Sequence, residues 1–174
     1  KNICAHSFDS FTRITTVTIF SGVESIGASA FAGCTGITTI SVPSTVSDIG
    51  ASAFNGCTGI TNVTISSGVE SIGASAFAGC TGITSISVPS TVTNIDTSAF
   101  ASCTSLTGVT LYGEASSLTI ADTAFTGVNS ALTIQASFYG LLDNTATNDS
   151  GYYSWKGGSF SLTQGYCGAA GNGG

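Results

Sequence analysis

The chain predicts a β-solenoid, a stack of similar coils with a parallel sheet along one face and short turns or 3₁₀ segments along the other. Three observations carry that expectation. A 23-residue pattern recurs with its phenylalanine at Phe8, Phe31, Phe54, Phe77 and Phe100, and a slightly stretched copy follows at Phe125. A fixed period of this size marks stacked units, each too small to bury its apolar face alone. Hydrophobic residues make up 42% of the 174 residues while charged ones make up only 7%, against roughly 25% in an ordinary globular domain. There is thus material for one continuous core, and a surface left to Ser, Thr, Gly and Asn. Finally, the apolar positions of each copy are mostly Ile and Val, which suit a pleated surface.

Three segments follow in order. Residues 1–20 are a degraded N-terminal coil, in which Cys4-Ala5-His6-Ser7-Phe8 aligns with Gly27-Ala28-Ser29-Ala30-Phe31 and Phe11 takes the place of the repeat cysteine. Residues 21–136 are the regular solenoid. Its fullest copy runs from Ser21 to Pro43, with Ile37, Ile40 and Val42 spaced as in an L-x-x-L-x-L strand. Ile60, Val63 and Ile65 repeat that spacing, as do Ile83, Ile86 and Val88, and strand alternation sends the residues between them outward. Pro43 and Pro89 end two strands. The stretch from Ile49 to Phe54 is too short and too Gly-rich for more than one turn of helix. Leu106 to Tyr112 reads as a further strand, Leu118 to Phe125 as a looser turn and Leu132 to Ala136 as the last strand. Ser21–Thr38 and Ser67–Thr84 are identical over all 18 positions, which points to duplication of a two-coil unit. Residues 137–174 are different material, with Tyr152, Tyr153, Trp155, Phe160 and Tyr166 set among Gly, Ser and Asn. Such a tail serves as a cap over the open core or as a docking element for another subunit.

At this point the residues resemble a known family. IGASAFAGCTGITTISVPSTV, Ile26 to Val46, is similar to the BspA-like class of leucine-rich repeats, strongly over residues 21–112 and loosely over 1–20 and 113–136. The resemblance implies a right-handed leucine-rich-repeat coil stack and a role in adhesion, surface display or binding of surface proteins. Strands in that family often carry Leu and charge, whereas these carry Ile, Val, Thr and Ser.

Cys34, Cys57, Cys80 and Cys103 form one column. Coils stacked ~4.8 Å apart keep identical Cβ atoms at about that distance, beyond the ~3.5–4.5 Å of a disulfide, so the expected state is a file of buried thiols. A linear file cannot converge on a tetrahedral zinc. Cys4 and Cys167 lie outside the column, one near each end. They are candidates for a disulfide between molecules stacked head to tail, with a local partner or no bond as alternatives. The expected exposed strand face comprises Thr16/Thr18, Thr39/Ser41, Asn62/Thr64, Ser85/Ser87 and Gly108/Thr110. It is a solvated face first, a protein- or glycan-binding face second, and an ice-binding array third. Asn62-Val63-Thr64 and Asn148-Asp149-Ser150 match N-glycan acceptors.

Net charge is −6, and Lys1, Arg13 and Lys156 form no patch, which argues against nucleic-acid binding. No run of 18 apolar residues spans a membrane. Glu24, Asp48 and Glu70 place one carboxylate per coil, too few to gather around calcium. His6 is the only histidine, and no nucleophilic triad or paired-carboxylate cleft can be assembled. No cofactor is expected. A chain starting at Lys1 suits a mature secreted form or an excerpt of a longer one. The expectation is a non-enzymatic extracellular or cell-surface structural and interaction protein. Head-to-tail self-association into a fibre is the first reading, and an adhesin fragment the alternative.

Overall fold

The computed structural model describes residues 1–113, 118–138, 149–156 and 159–162. Along the chain the strands are β1 (Asn2–Ile3), β2 (Ser25–Ile26), β3 (Thr39–Val42), β4 (Asp48–Ile49), β5 (Asn62–Ile65), β6 (Ser71–Ile72), β7 (Ser85–Val88), β8 (Asn94–Ile95), β9 (Gly108–Gly113), β10 (Thr119–Ile120), β11 (Thr133–Phe138), β12 (Asp149–Lys156) and β13 (Ser159–Leu162). The two-residue strands stack in the order β1-β2-β4-β6-β8-β10 into one six-stranded parallel ladder. The longer strands lie on a second face, as a β3-β5 pair and a five-stranded sheet ordered β13-β12-β11-β9-β7. Register advances by one repeat per coil, as Ile3↔Ile26, Ile26↔Ile49, Ile49↔Ile72 and Ile72↔Ile95 show. The stretched copy is absorbed at Ile120↔Ile95 and Val109↔Ile134.

The face opposite the long strands is therefore a continuous parallel ladder followed by turns, and no 3₁₀ or α-helix occurs among the described residues. The reason lies in where the turn amides go. In the second coil Ala30, Ala32 and Cys34 donate locally to Gly27, Ser29 and Phe31, whereas the amides between them, of Ser29, Phe31 and Gly33, donate to Ala51, Ala53 and Asn55 of the next coil. Alternation of this kind cannot propagate a helix. It is accompanied by a left-handed backbone at Ser29, Ser52, Ser75 and Ser98, where φ is 54° to 56°.

The core is built from columns. Phe8, Phe31, Phe54, Phe77, Phe100 and Phe125 form one ring stack, with successive centroids 5.2–5.4 Å apart and planes within 12° of parallel. Ile37, Ile40 and Val42 are fully buried, as are Ile60, Ile83 and Val88, while Val63 is half-buried. Close coil spacing favours glycine where backbones meet, although Asp96 and Ser105 hold the same positions in the fifth coil. A Cβ at Gly50 would stand 2.7 Å from the Ile26 carbonyl oxygen, and one at Gly59 only 2.3 Å from that of Thr35.

The long-strand face has seams. The amides of Asn62 and Ser66 donate to the carbonyls of Thr38 and Val42, tying β5 to β3. No ladder joins β5 to β7, and residues 16–19 form no strand against β3. Pro43 and Pro89 occupy the repeat position of Ser66, so neither can donate the corresponding bond to Ile19 or Ile65.

Candidate functional faces of the solenoid

The described surface offers three places for function, namely the long-strand face, the thiol column and the N-terminal end. On the strand face Thr39, Ser41, Asn62, Thr64, Ser85 and Ser87 are exposed, and Gly108 and Thr110 are half-exposed. Thr16 and Thr18 are exposed but belong to no strand, so the first rung of the expected ladder is missing from the sheet. The Asn62 side-chain amide donates to the Thr61 hydroxyl at 3.1 Å. The face carries no formal charge and is broken by the seam between β5 and β7.

Cys34, Cys57, Cys80 and Cys103 are buried and unbridged. Each thiol donates to the carbonyl oxygen of a phenylalanine in the preceding coil: Cys34 to Phe8 at 2.9 Å, Cys57 to Phe31 at 3.0 Å, and Cys80 and Cys103 to Phe54 and Phe77 at 3.1 Å. The column thus satisfies a row of inward-turned carbonyls that an alanine column would leave without this donor. Burial pushes all four thiols up, Cys57 and Cys103 to about 12, so they stay protonated and unreactive at neutral pH. The repeat showed the column but not its acceptors, because only the folded coil turns those carbonyls inward.

The N-terminal end is unlike the rest. Phe8 is 39% exposed although Phe31 beneath it is only 2% exposed, and Phe11 and Phe20 are 58% and 73% exposed. Phe11 stands edge-on to Phe8 at 6.5 Å. The carbonyls of Ala5, Ser7 and Asp9 hold the positions at which those of Ala28, Ala30 and Ala32 accept the amides of His6, Phe8 and Ser10. No described residue donates to them. A Cβ on Gly27 or Gly36 would run into the backbone of the preceding coil. Cys4 and Arg13 occupy those positions in the first coil, as Asp96 and Ser105 do in the fifth. Cys4 is exposed and Asp9 is held by His6 at 3.2 Å and by the Ser10 hydroxyl at 3.0 Å.

At the far end Phe125, Leu132 and Ile134 are buried. The strand sheet continues past β11 through antiparallel β12 and β13, which contain Tyr152, Tyr153, Trp155 and Phe160. Tyr166, Cys167 and Asn148 lie outside the described residues. A shallow depression of about 250 Å³ beside Phe125 is lined by Thr126, Val128, Asn129, Ser130 and Leu132, none of which is an acid or a base. No group of three or more His, Cys, Asp or Glu side chains gathers among the described residues, and no described helix is long and apolar enough to cross a membrane.

Parallel ladders, core columns that take one residue from each coil, and coil-on-coil hydrogen bonding define a leucine-rich-repeat solenoid of about six turns. Residues 1–133 match the BspA type Leucine rich repeat region in six copies, and the chain belongs to that family. Among solved structures it is similar to a leucine rich cell surface protein from Faecalibacterium prausnitzii A2-165, with 32% identity and a TM-score of 0.62, over 70% of this chain and 31% of that one. It is also similar to the T. pallidum Leucine Rich Repeat protein, with 28% identity and a TM-score of 0.54, over 68% of this chain and 51% of that one. The chain therefore spans about a third to a half of the length of these proteins. No curated protein sequence matches it. Of these two neighbours, the F. prausnitzii protein is a cell surface protein.

Proposed function

We propose that the chain is a non-enzymatic extracellular structural module that joins other copies of itself head to tail. The observation that carries this reading is the asymmetry of the two ends. Phe125, Leu132 and Ile134 of the last described coil are buried, whereas the first coil presents a partly exposed Phe8 ring, an exposed Phe11 and backbone carbonyls that no described residue pairs. An exposed apolar edge of this kind favours docking, and a docking surface that is not its own complement propagates into open polymers. The exposed thiol of Cys4 supports a covalent form of the joint, with Cys167 as the proposed partner and an extracellular disulfide as oxidant through thiol exchange. The aromatic tail, including Tyr152, Tyr153, Trp155, Phe160 and Tyr166, is the proposed docking element. Asn62 and Asn148 are proposed glycan acceptors.

Light scattering of the full chain tests this. The native protein is expected to form species larger than a monomer, and Phe11→Asp, which alters an exposed side chain, is expected to return it to monomer. Monomer at every concentration for the native chain contradicts the reading.

The second reading, an adhesin binding a surface protein or glycan, is favoured by the uncharged, hydrogen-bonding strand face around Thr39, Asn62 and Thr64. In that case Thr64→Arg abolishes ligand capture and leaves the state of assembly unchanged.

A further inference from the structure

The long-strand face parts along one line inside the regular coils. β3 is bonded to β5 and β7 to β9, but no strand bond joins β5 to β7. The core marks the same line. Ile40 and Val42 of β3 are fully buried, whereas Val63 is half-buried, Ile65 is 7% exposed and Ile86 is 3% exposed. The rest of the stack stays closed there. Phe54 and Phe77, one on each side, stack at 5.2 Å, and the short ladder pairs Ile49 with Ile72 and Ile72 with Ile95. Beyond the long strands the repeat alternates, with Pro43-Ser44-Thr45 and Pro89-Ser90-Thr91 on either side of Ser66-Ser67-Gly68. At the paired junction the Ser66 amide donates to the Val42 carbonyl at 3.1 Å, and a Cβ on Gly68 would strike the Ser44 carbonyl oxygen. At the seam Pro89 has no amide to donate. Thr91 spans the gap instead: its hydroxyl donates to the Val69 carbonyl at 2.7 Å and accepts the Gly68 amide at 3.0 Å. Thr45 makes the same clasp one unit earlier, on Val23 at 2.7 Å and Gly22 at 3.1 Å.

We propose that the line between β5 and β7 is a hinge, with the short ladder as its pivot and Thr91 as its latch. A hinge needs a weak connection facing a strong one, and it concentrates the change at a few residues. Here the weak side has one side-chain clasp in place of a strand ladder, and the strong side keeps its backbone bonds and its ring stack. Opening separates Thr64 from Ser87, which the repeat places opposite each other. Swing is limited by Val63, Ile65 and Ile86, whose apolar surface it exposes to water. The two-coil period seen in the sequence then has a physical meaning: the pair β3-β5 and the pair β7-β9 move as units. The hinge stands apart from both functional readings above and bears on each. A ligand bridging Asn62 and Ser85 fixes one opening, and a pull along the stack parts the seam before it breaks a strand ladder.

The test is electron paramagnetic resonance of nitroxide pairs on the full chain, in a background carrying Cys4→Ser and Cys167→Ser. The four column thiols are buried and stay unlabelled. One pair, Thr64→Cys with Ser87→Cys, spans the seam. The other, Ser41→Cys with Thr64→Cys, spans the bonded β3-β5 junction, where the two positions are in register. All three positions are exposed, so the labels leave the core intact. The bonded pair should show strong dipolar broadening from one short distance. The seam pair should show weaker broadening spread over a range of distances. Pro89→Ser, which restores an amide opposite the Ile65 carbonyl, should bring the seam pair to the bonded pattern. Thr91→Val, which removes the latch and leaves the Gly68 amide without its acceptor, should spread the distances further. A seam pair with the same single distance as the bonded pair overturns the hinge. So does a longer but single distance that neither Pro89→Ser nor Thr91→Val moves, since that describes a fixed gap.

Discussion

At the scale of the residue, the thiol column decides how the coil closes. Cys57 spans two coils by donating to Phe31, and burial pushes its thiol up to about 12. Thiols of the unfolded chain ionise near 8.5. Between these values the folded chain holds protons that the unfolded chain has lost. The column's contribution is therefore fully present below about pH 8.5 and declines as pH rises toward 12, by about 1.4 kcal/mol per pH unit for each such thiol. Urea unfolding followed by circular dichroism at pH 8 and pH 10 reads this directly, and Cys57→Ala should flatten the slope. Iodoacetamide applied to the native chain should modify Cys4 and spare Cys34, Cys57, Cys80 and Cys103. The column was legible in the sequence as a 23-residue spacing. Its hydrogen bonds were not, because the carbonyls it serves belong to residues 26 positions earlier and turn inward only after the left-handed serines. Those serines were equally hidden, since serine carries no strong preference for that region and only the repeated coil imposes it.

At the scale of the element, β3, β5, β7, β9 and β11 of the long face were placed by the alternation of apolar residues, whereas the expected rung at Thr16 and Thr18 forms no strand and β12 and β13 carried no such signal. The short ladder β1-β2-β4-β6-β8-β10 was read instead as turn, because two-residue strands leave no alternation to detect. The 18-residue identity between alternate coils has a structural counterpart. Coils pair across β3-β5 and β7-β9, with seams between the pairs where Pro43 and Pro89 lack an amide proton. By the repeat, Ser85 and Ser87 point their amides toward β5 across the seam, as Asn62 points its own to β3. Hydrogen exchange should therefore be faster at Ser85 and Ser87 than at Asn62 and Thr64. Pro89→Ser should slow it by restoring a donor to the Ile65 carbonyl. Equal protection on both sides of β5 would show that the seam is closed in solution.

At the scale of the whole molecule, the fold is a one-dimensional array whose interior is uniform and whose ends differ. That uniformity made the family readable from sequence. It also explains why function was not, since the repeated columns specify packing and a neutral flank, and only departures from them can specify a partner. The departures Cys4 and Phe11 were visible in the alignment of coils. The most direct test uses the chain's only two lysines, Lys1 in the first coil and Lys156 in β12. Five ring-to-ring steps of 5.2–5.4 Å separate the first coil from the last, beyond the span of a short amine cross-linker within one molecule. Cross-linking an equal mixture of ¹⁴N- and ¹⁵N-labelled chains, followed by mass spectrometry, should yield mixed-isotope Lys1–Lys156 peptides. Mixed Lys1–Lys1 peptides alone, or no mixed peptide at all, would contradict head-to-tail assembly.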